Sequence, residues 1–155
     1  MKEKGMELKE LFTGFAYNGA SCLFYSVDKD GGIWVLLGKR RNAHLFSSPY
    51  HWSIPEGTIK DGESALDAAM RIAYEETGIL DDRNKAELFW SAVEGGISEA
   101  IYCLKLSTKV PPKQTKSYTD LSWFRLGDRI DDMDPLASDQ LRKFESYLKT
   151  MKKAV

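Results

Sequence analysis

The feature that most limits how this chain can fold is the stretch from Ser64 to Gly78. Leu66, Ala69, Met70 and Ala73 recur at intervals of three and four, as one face of a helix does. Ser64 with Asp67 three residues on reads as an N-cap. Gly78 after Thr77 reads as a C′ stop. A capped helix is thus embedded among segments of a different kind. Ala20–Val27 and Ile33–Leu37 are strand-like, and the turn Asp28 to Gly32 makes them a hairpin. Further strands are expected at Phe12–Tyr17, His51–Ile54, Ala86–Val93, Ser98–Leu106 and Leu121–Arg125. Lys39–Tyr50 and Ser107–Thr119 read as loops, and Glu94 to Gly96 as a turn. A last helix is expected from about Ser138, with Leu141, Phe144, Leu148 and Met151 as its apolar stripe and lysines at its C-terminal end. Strands outnumber helices, so the natural architecture is a mixed β-sheet with helices packed on it, an α+β fold.

The 155 residues fit a single domain, 1–155, with a real core. The net charge of −1 argues against a protein that coats nucleic acid or an anionic membrane. A small phosphorylated ligand needs only a few placed charges. Cys22 and Cys103 sit in apolar runs with no metal-ligand spacing, as buried thiols in a reducing compartment do. The N-terminal residues lack an apolar h-region, and no apolar run approaches the roughly 20 residues of a membrane span. The expected location is cytoplasmic.

On a wheel of about 100° per residue, Glu76 lies at the edge of the apolar stripe and Glu75 further round. Adjacent carboxylates on a helix repel unless a cation lies between them, and a hard divalent cation would relieve that repulsion. Gly57 upstream could bring a backbone carbonyl close to the same ion. The plain alternative is a solvated acidic turn, with Arg71 and Glu75 paired at i, i+4.

The whole segment decides between them. Gly57, Glu63, Arg71, Glu75, Glu76, Gly78 and Ile79 fall in the order and spacing of the Nudix box, and Trp52 to Pro55 also resembles the family's approach to it. The resemblance covers residues 52–79. It implies a Nudix-type α/β/α sandwich and hydrolysis of a nucleoside diphosphate linked to another group, with water attacking phosphorus. It implies Mg²⁺ (or Mn²⁺) held by Gly57, Glu75 and Glu76. Arg71 and Glu63 would brace the loop and helix, and Gly78 would close the motif. The expected partner is a small nucleotide-derived phosphate, with no membrane and no nucleic acid polymer. The oligomeric state is left open, a homodimer included.

One position departs from the box. Where the family has a glutamate after the arginine, this chain has Ile72. The wheel puts Ile72 about 110° from the centre of the apolar stripe, so core packing on this helix does not explain it. The missing carboxylate makes a base outside the box necessary, or a metal that activates water without one. Asp120, Glu94 and Glu99 are the candidates, Asp120 because it follows a loop and precedes a strand. Arg40 and Arg41 follow a strand and suit phosphate contacts. Trp90, Tyr102 and Trp123 could stack on a base, though aromatic residues in strands are more often core. Two other functions stay open. One is a Nudix fold that binds a nucleotide but has lost most turnover, which Ile72 favours. The other is an isoprenoid diphosphate isomerase, for which neither cysteine has the right setting.

Overall fold

Strand β1 (Gly19–Val27) is apolar on both faces because it runs through the middle of the protein. Alternate residues feed two cores. Ala20, Cys22 and Phe24 face one, and Leu23 and Tyr25 face the other. The computed structural model describes residues 18–42, 48–94, 97–113 and 115–153. The segment Phe12–Tyr17 and the glycines of the 94–96 turn lie outside them.

The other strands are β2 (Ile33–Arg40), β3 (Trp52–Ser53), β4 (Glu56–Thr58), β5 (Glu87–Glu94), β6 (Ile97–Lys105) and β7 (Tyr118–Arg125). The sheet is mixed, as expected: β1 pairs β6 in parallel, and the remaining pairs are antiparallel. Strand β1 divides its second edge between two partners. Tyr25 to Val27 pair with β2, whereas Gly19 to Ser21 pair with β4. Beyond Val35, strand β2 leaves β1 and pairs on that edge with β3 at Gly38 and Lys39, while β7 runs along its other edge from Trp34 to Arg40. The result is a fork between β1 and β2, with β3 and β4 set into it.

Helix α1 (Ala65–Thr77) covers one face of the sheet. Its caps are those the sequence signals: the Ser64 hydroxyl accepts from Asp67 N–H, and Gly78 is left-handed at φ 76°. Helix α2 (Pro135–Lys153) covers the other face. It begins three residues earlier than expected, because Asp134 is the effective cap. The Asp134 carboxylate accepts from Leu136 N–H at 2.9 Å, and Pro135 sits where no N–H is needed. Phe144 anchors this helix through edge-to-face contacts with Tyr25 and Phe89. The architecture is the expected α/β/α sandwich. Among the described residues no helix is long and apolar enough to cross a membrane.

Two carboxyl groups meet under α2. Glu99 on β6 and Glu56 on β4 are both buried and are hydrogen-bonded to each other. The Ser21 hydroxyl donates to Glu99 at 3.0 Å. Burial, then the charge of Glu56 and the bond to it, push the Glu99 carboxyl well above the usual carboxylate range. Two buried carboxylates this close cannot both ionise readily, so ionisation of Glu99 is disfavoured. A raised folded value stabilises fully below the unfolded one, near 4.5, and that stability is lost as pH rises through the folded value. Glu99→Gln keeps a neutral amide at every pH. It is expected to melt above the wild type at about pH 8, with the gap closing toward about pH 5. Parallel melting curves at the two pH values check this.

Candidate active site

The box folds as a loop braced onto its helix. Arg71 is the brace. Its Nε and Nη2 donate to the two oxygens of Glu63 at 2.8 and 2.9 Å, Nη2 also to the Thr58 carbonyl at 2.8 Å, and Nη1 to Glu75 at 2.9 Å. This fork-to-fork bonding ties β4, the loop and α1 together. Arg71 holds the Glu63 carboxyl down at about 2.

Glu75 and Glu76 leave the last turn of α1 on different sides. The Glu75 side chain is 52% exposed and turns toward Arg71. Glu76 is only 15% exposed and points inward, toward the sheet. Its neighbour there is Arg40, with Nη2 of Arg40 3.6 Å from Glu76 Oε1.

Arg40 differs from expectation. Strand β2 runs through Arg40 rather than stopping at Leu37, because β7 and β3 continue to pair with it. Arg40 is therefore not on a loop but buried, at 6% exposure. Its Nη2 donates across the fork to the Glu56 carbonyl at 2.6 Å and to the Tyr118 hydroxyl at 2.9 Å, and its guanidinium lies over the Tyr118 ring. Among the described residues its Nε is buried without an acceptor. Arg41 is exposed, and its Nε donates to the Lys116 carbonyl at 3.2 Å.

Ile72 overturns the wheel argument. It is buried at 2% in the core under α1, beside Ala68, Ala69 and Ala73. The helix face that packs is wider than Leu66, Ala69, Met70 and Ala73 suggest. Ala65 and Ala68 are buried too and swing its centre round, while Leu66 is only half-buried. Ile72 lies directly on Gly57: a Cβ at residue 57 would stand 2.8 Å from Ile72 Cγ1. The glycine is needed for this close approach.

Two of the base candidates, Asp120 and Glu99, are not brought to this cluster. Asp120 pairs with Lys39 in the β2–β7 ladder. Lys39 lies by Trp52 and Asp132, in the α2 layer, whereas the next residue, Arg40, reaches Glu76 in the α1 layer. Paired residues share a face, so Asp120 and Glu76 lie on opposite faces of the sheet. Glu99 is under α2 with Glu56. The Glu94 side chain lies outside the described residues. Trp123 and Tyr102 pack against the α1 core, Trp90 against the α2 core, and Trp123 Nε1 donates to the Val110 carbonyl at 2.8 Å. Cys22 and Cys103 are free and buried on opposite faces, and burial pushes Cys103 up to about 12.

Among the described residues no three His, Cys, Asp or Glu side chains gather as a metal centre. The donors that α1 and β4 offer are two carboxylates and a glycine peptide, all hard oxygens. They suit Mg²⁺, which takes one or two carboxylates and completes its shell with water and substrate phosphate.

A capped, acidic helix braced on a mixed-sheet sandwich defines a class, and the comparisons with known proteins agree. Residues 18–144 match the NUDIX domain, and the chain belongs to that family. Segments of it are similar to RNA pyrophosphohydrolases: 45% identical over 51 residues to that of Bartonella quintana and 49% over 56 residues to that of Agrobacterium fabrum. Those segments are 32% and 34% of this chain, and they span only 30% and 32% of the two relatives. The fold is similar to the NUDIX domain of Shewanella oneidensis NrtR, solved with ADP ribose. The TM-score is 0.70 and the identity 16%, over 95% of this chain and 97% of that one. It is also similar to a C. elegans Ap4A hydrolase, with TM-score 0.66 and 24% identity over 85% and 98%.

The Gly57–Ile72 contact is testable by a double-mutant cycle. Gly57→Ala is expected to cost about 1–3 kcal/mol through overpacking. Ile72→Ala alone should cost about 2–5 kcal/mol, as a buried truncation. Their combination should cost less than the sum by about 1 kcal/mol or more, measured by urea unfolding.

Proposed function

We propose that the protein is a divalent-metal-dependent hydrolase that cleaves the pyrophosphate bond of a nucleoside diphosphate linked to a second group. The observation that carries this reading is the placement of Glu75 and Glu76 at the end of a braced α1, beside β4 and its Gly57, with Arg40 fixed next to Glu76. Family membership supports it, as do the names of the similar proteins.

Glu76, Glu75 and the Gly57 carbonyl would hold Mg²⁺ or Mn²⁺. Such an ion, when bound, neutralises phosphate charge and lowers the pKa of attached water. The chain supplies the rest. Arg71 and Glu63 keep the loop and helix in register, so that the donors do not reorganise as charge moves. Arg40 lends a fixed positive charge toward the phosphates from within the sheet. With Asp120 on the far face, the proton of the attacking water passes to a carboxylate oxygen of Glu75 or Glu76. The two buried thiols fit the reducing cytoplasm as the place of work.

Ile72 favours a second reading, in which the fold binds a nucleotide and turns it over poorly. Substrate choice lies outside the box. The name shared by the two similar enzymes adds a 5′-triphosphorylated RNA to the substrates worth trying.

Two measurements test the proposal. Glu76→Gln should lower kcat by roughly hundredfold or more without unfolding the protein; unchanged turnover would sink the mechanism. Wild-type protein with Mg²⁺ or Mn²⁺ should release product from at least one of a panel. The panel holds nucleoside triphosphates, dinucleoside polyphosphates, ADP-ribose, nucleotide sugars and 5′-triphosphorylated RNA. Tight binding of one member with no product from any would establish the binding module instead.

A further inference from the structure

We propose that the cleft between the C-terminal half of α2 and the β1–β2 hairpin binds a second ligand, a small organic anion whose acidic head carries an apolar body.

The cleft follows from strand alternation and helix period. Leu23 and Tyr25 of β1 face the α2 core, and the same alternation carries Val27 to that face. Val27 pairs with Ile33 across the hairpin, and Tyr25 pairs with Lys105 of β6. Paired residues share a face, so these four side chains form one patch at the far end of the sheet. Over it α2 presents Glu145, Leu148, Lys149 and Lys152, whose spacing puts them on one side of the helix. Between patch and helix lies a cleft of about 450 Å³, a size that suits a small ligand.

Its floor is apolar and its rim is basic. Tyr25, Val27, Ile33 and Leu148 supply the apolar surface, and Val27 is 38% exposed. The charged side chains that line it are three lysines and Glu145, in a protein whose net charge is −1. Among the described residues, none of Lys105, Lys149 and Lys152 forms an ion pair. In the adjoining cleft, which shares Tyr25 and Lys105, the charges of Lys85 and Glu87 cancel. Lysines at a helix C-terminus suit its dipole, which accounts for Lys149 and Lys152. It does not account for Lys105, which reaches the same cleft from the end of β6. A bare inorganic anion would leave the apolar floor wet, and a neutral apolar molecule would leave the lysines unanswered. An amphiphilic anion meets both.

The site is separate from the acidic turn of α1. It lies on the other face of the sheet, and along β1 from the β4 pairing at Ala20 it is roughly 20 Å away. The ligand is therefore a second molecule, and the inference does not rest on the proposed hydrolysis.

The test titrates octyl phosphate, which has no pyrophosphate bond, into the wild-type protein below the concentration at which it forms micelles. Amide shifts in ¹H–¹⁵N spectra report where it binds. Saturable shifts are expected at Val27, Ile33, Lys105 and Leu148, and not at Gly57, Glu75 or Glu76. Inorganic phosphate and 1-octanol, each carrying half of the chemistry, should bind more weakly by about tenfold or more. The double variant Lys105→Gln, Lys149→Gln removes two exposed, unpaired charges and should weaken octyl phosphate by about tenfold with the fold intact. Absence of saturable binding, shifts centred on α1, or unchanged affinity in the double variant would each overturn the inference. So would inorganic phosphate or 1-octanol binding as tightly as octyl phosphate. Binding to phosphatidylglycerol vesicles without binding of dispersed octyl phosphate would assign the lysines to a membrane surface and overturn it too.

Discussion

A buried arginine spanning the fork in the sheet is the contact on which the site depends. Strands β1 and β2 part after Tyr25 and Val35, and the short strands between them cannot cover every backbone group. Arg40 reaches from β2 to the Glu56 carbonyl on β4, to Tyr118 on β7 and toward Glu76 on α1. A buried charge is tolerable only when it is compensated, and here Nη2 makes two hydrogen bonds while Glu76 stands 3.6 Å away. The same strut sets the distance between the helix that bears the carboxylates and the strand that bears Gly57. Arg71 does the matching job on the exposed side, so the acidic turn is held between two guanidinium groups.

The signals for α1 are legible in the sequence because they are local. A cap, a helical period and a C′ glycine each act within a few residues, and Ser64, Asp67 and Gly78 do what their types prefer. The box was legible for the same reason, since its order and spacing lie in one continuous segment. The start of α2 has its own local signal, an aspartate directly before a proline. Ile72 departs from the wheel because Ala65 and Ala68 are buried and Leu66 is only half-buried, which turns the packed face toward residue 72. Small side chains contribute little to an apolar stripe on paper, yet they let a helix sit close to a sheet and bury whatever lies beside them.

Other features depend on strand partners, which alternation does not reveal. A run of three basic residues after a strand looks like a solvated turn. Whether β2 ends at Leu37 or continues to Arg40 is decided by β3 and β7, one of them some eighty residues away in sequence. Asp120 looked well placed for a similar reason. The sequence places it before a strand, whereas it is the third residue of β7, because β2 continues to pair there, and its face follows from its pairing with Lys39 across the β2–β7 ladder. The meeting of Glu56 with Glu99 is likewise a matter of register: β4 and β6 flank β1 on either side and place both carboxyl groups beside Ser21.

The seat of Ile72 also bears on the history open to this protein. Gly57, Ala68, Ala69 and Ala73 are shaped around an isoleucine, and such complementarity accumulates one substitution at a time. A glutamate placed at residue 72 would meet an apolar, closely packed wall before it met a cation. A carboxylate at residue 72 therefore requires the neighbours to change with it. The contact acts as a ratchet, steering later change toward residues around Arg40 and Glu75 rather than back through residue 72.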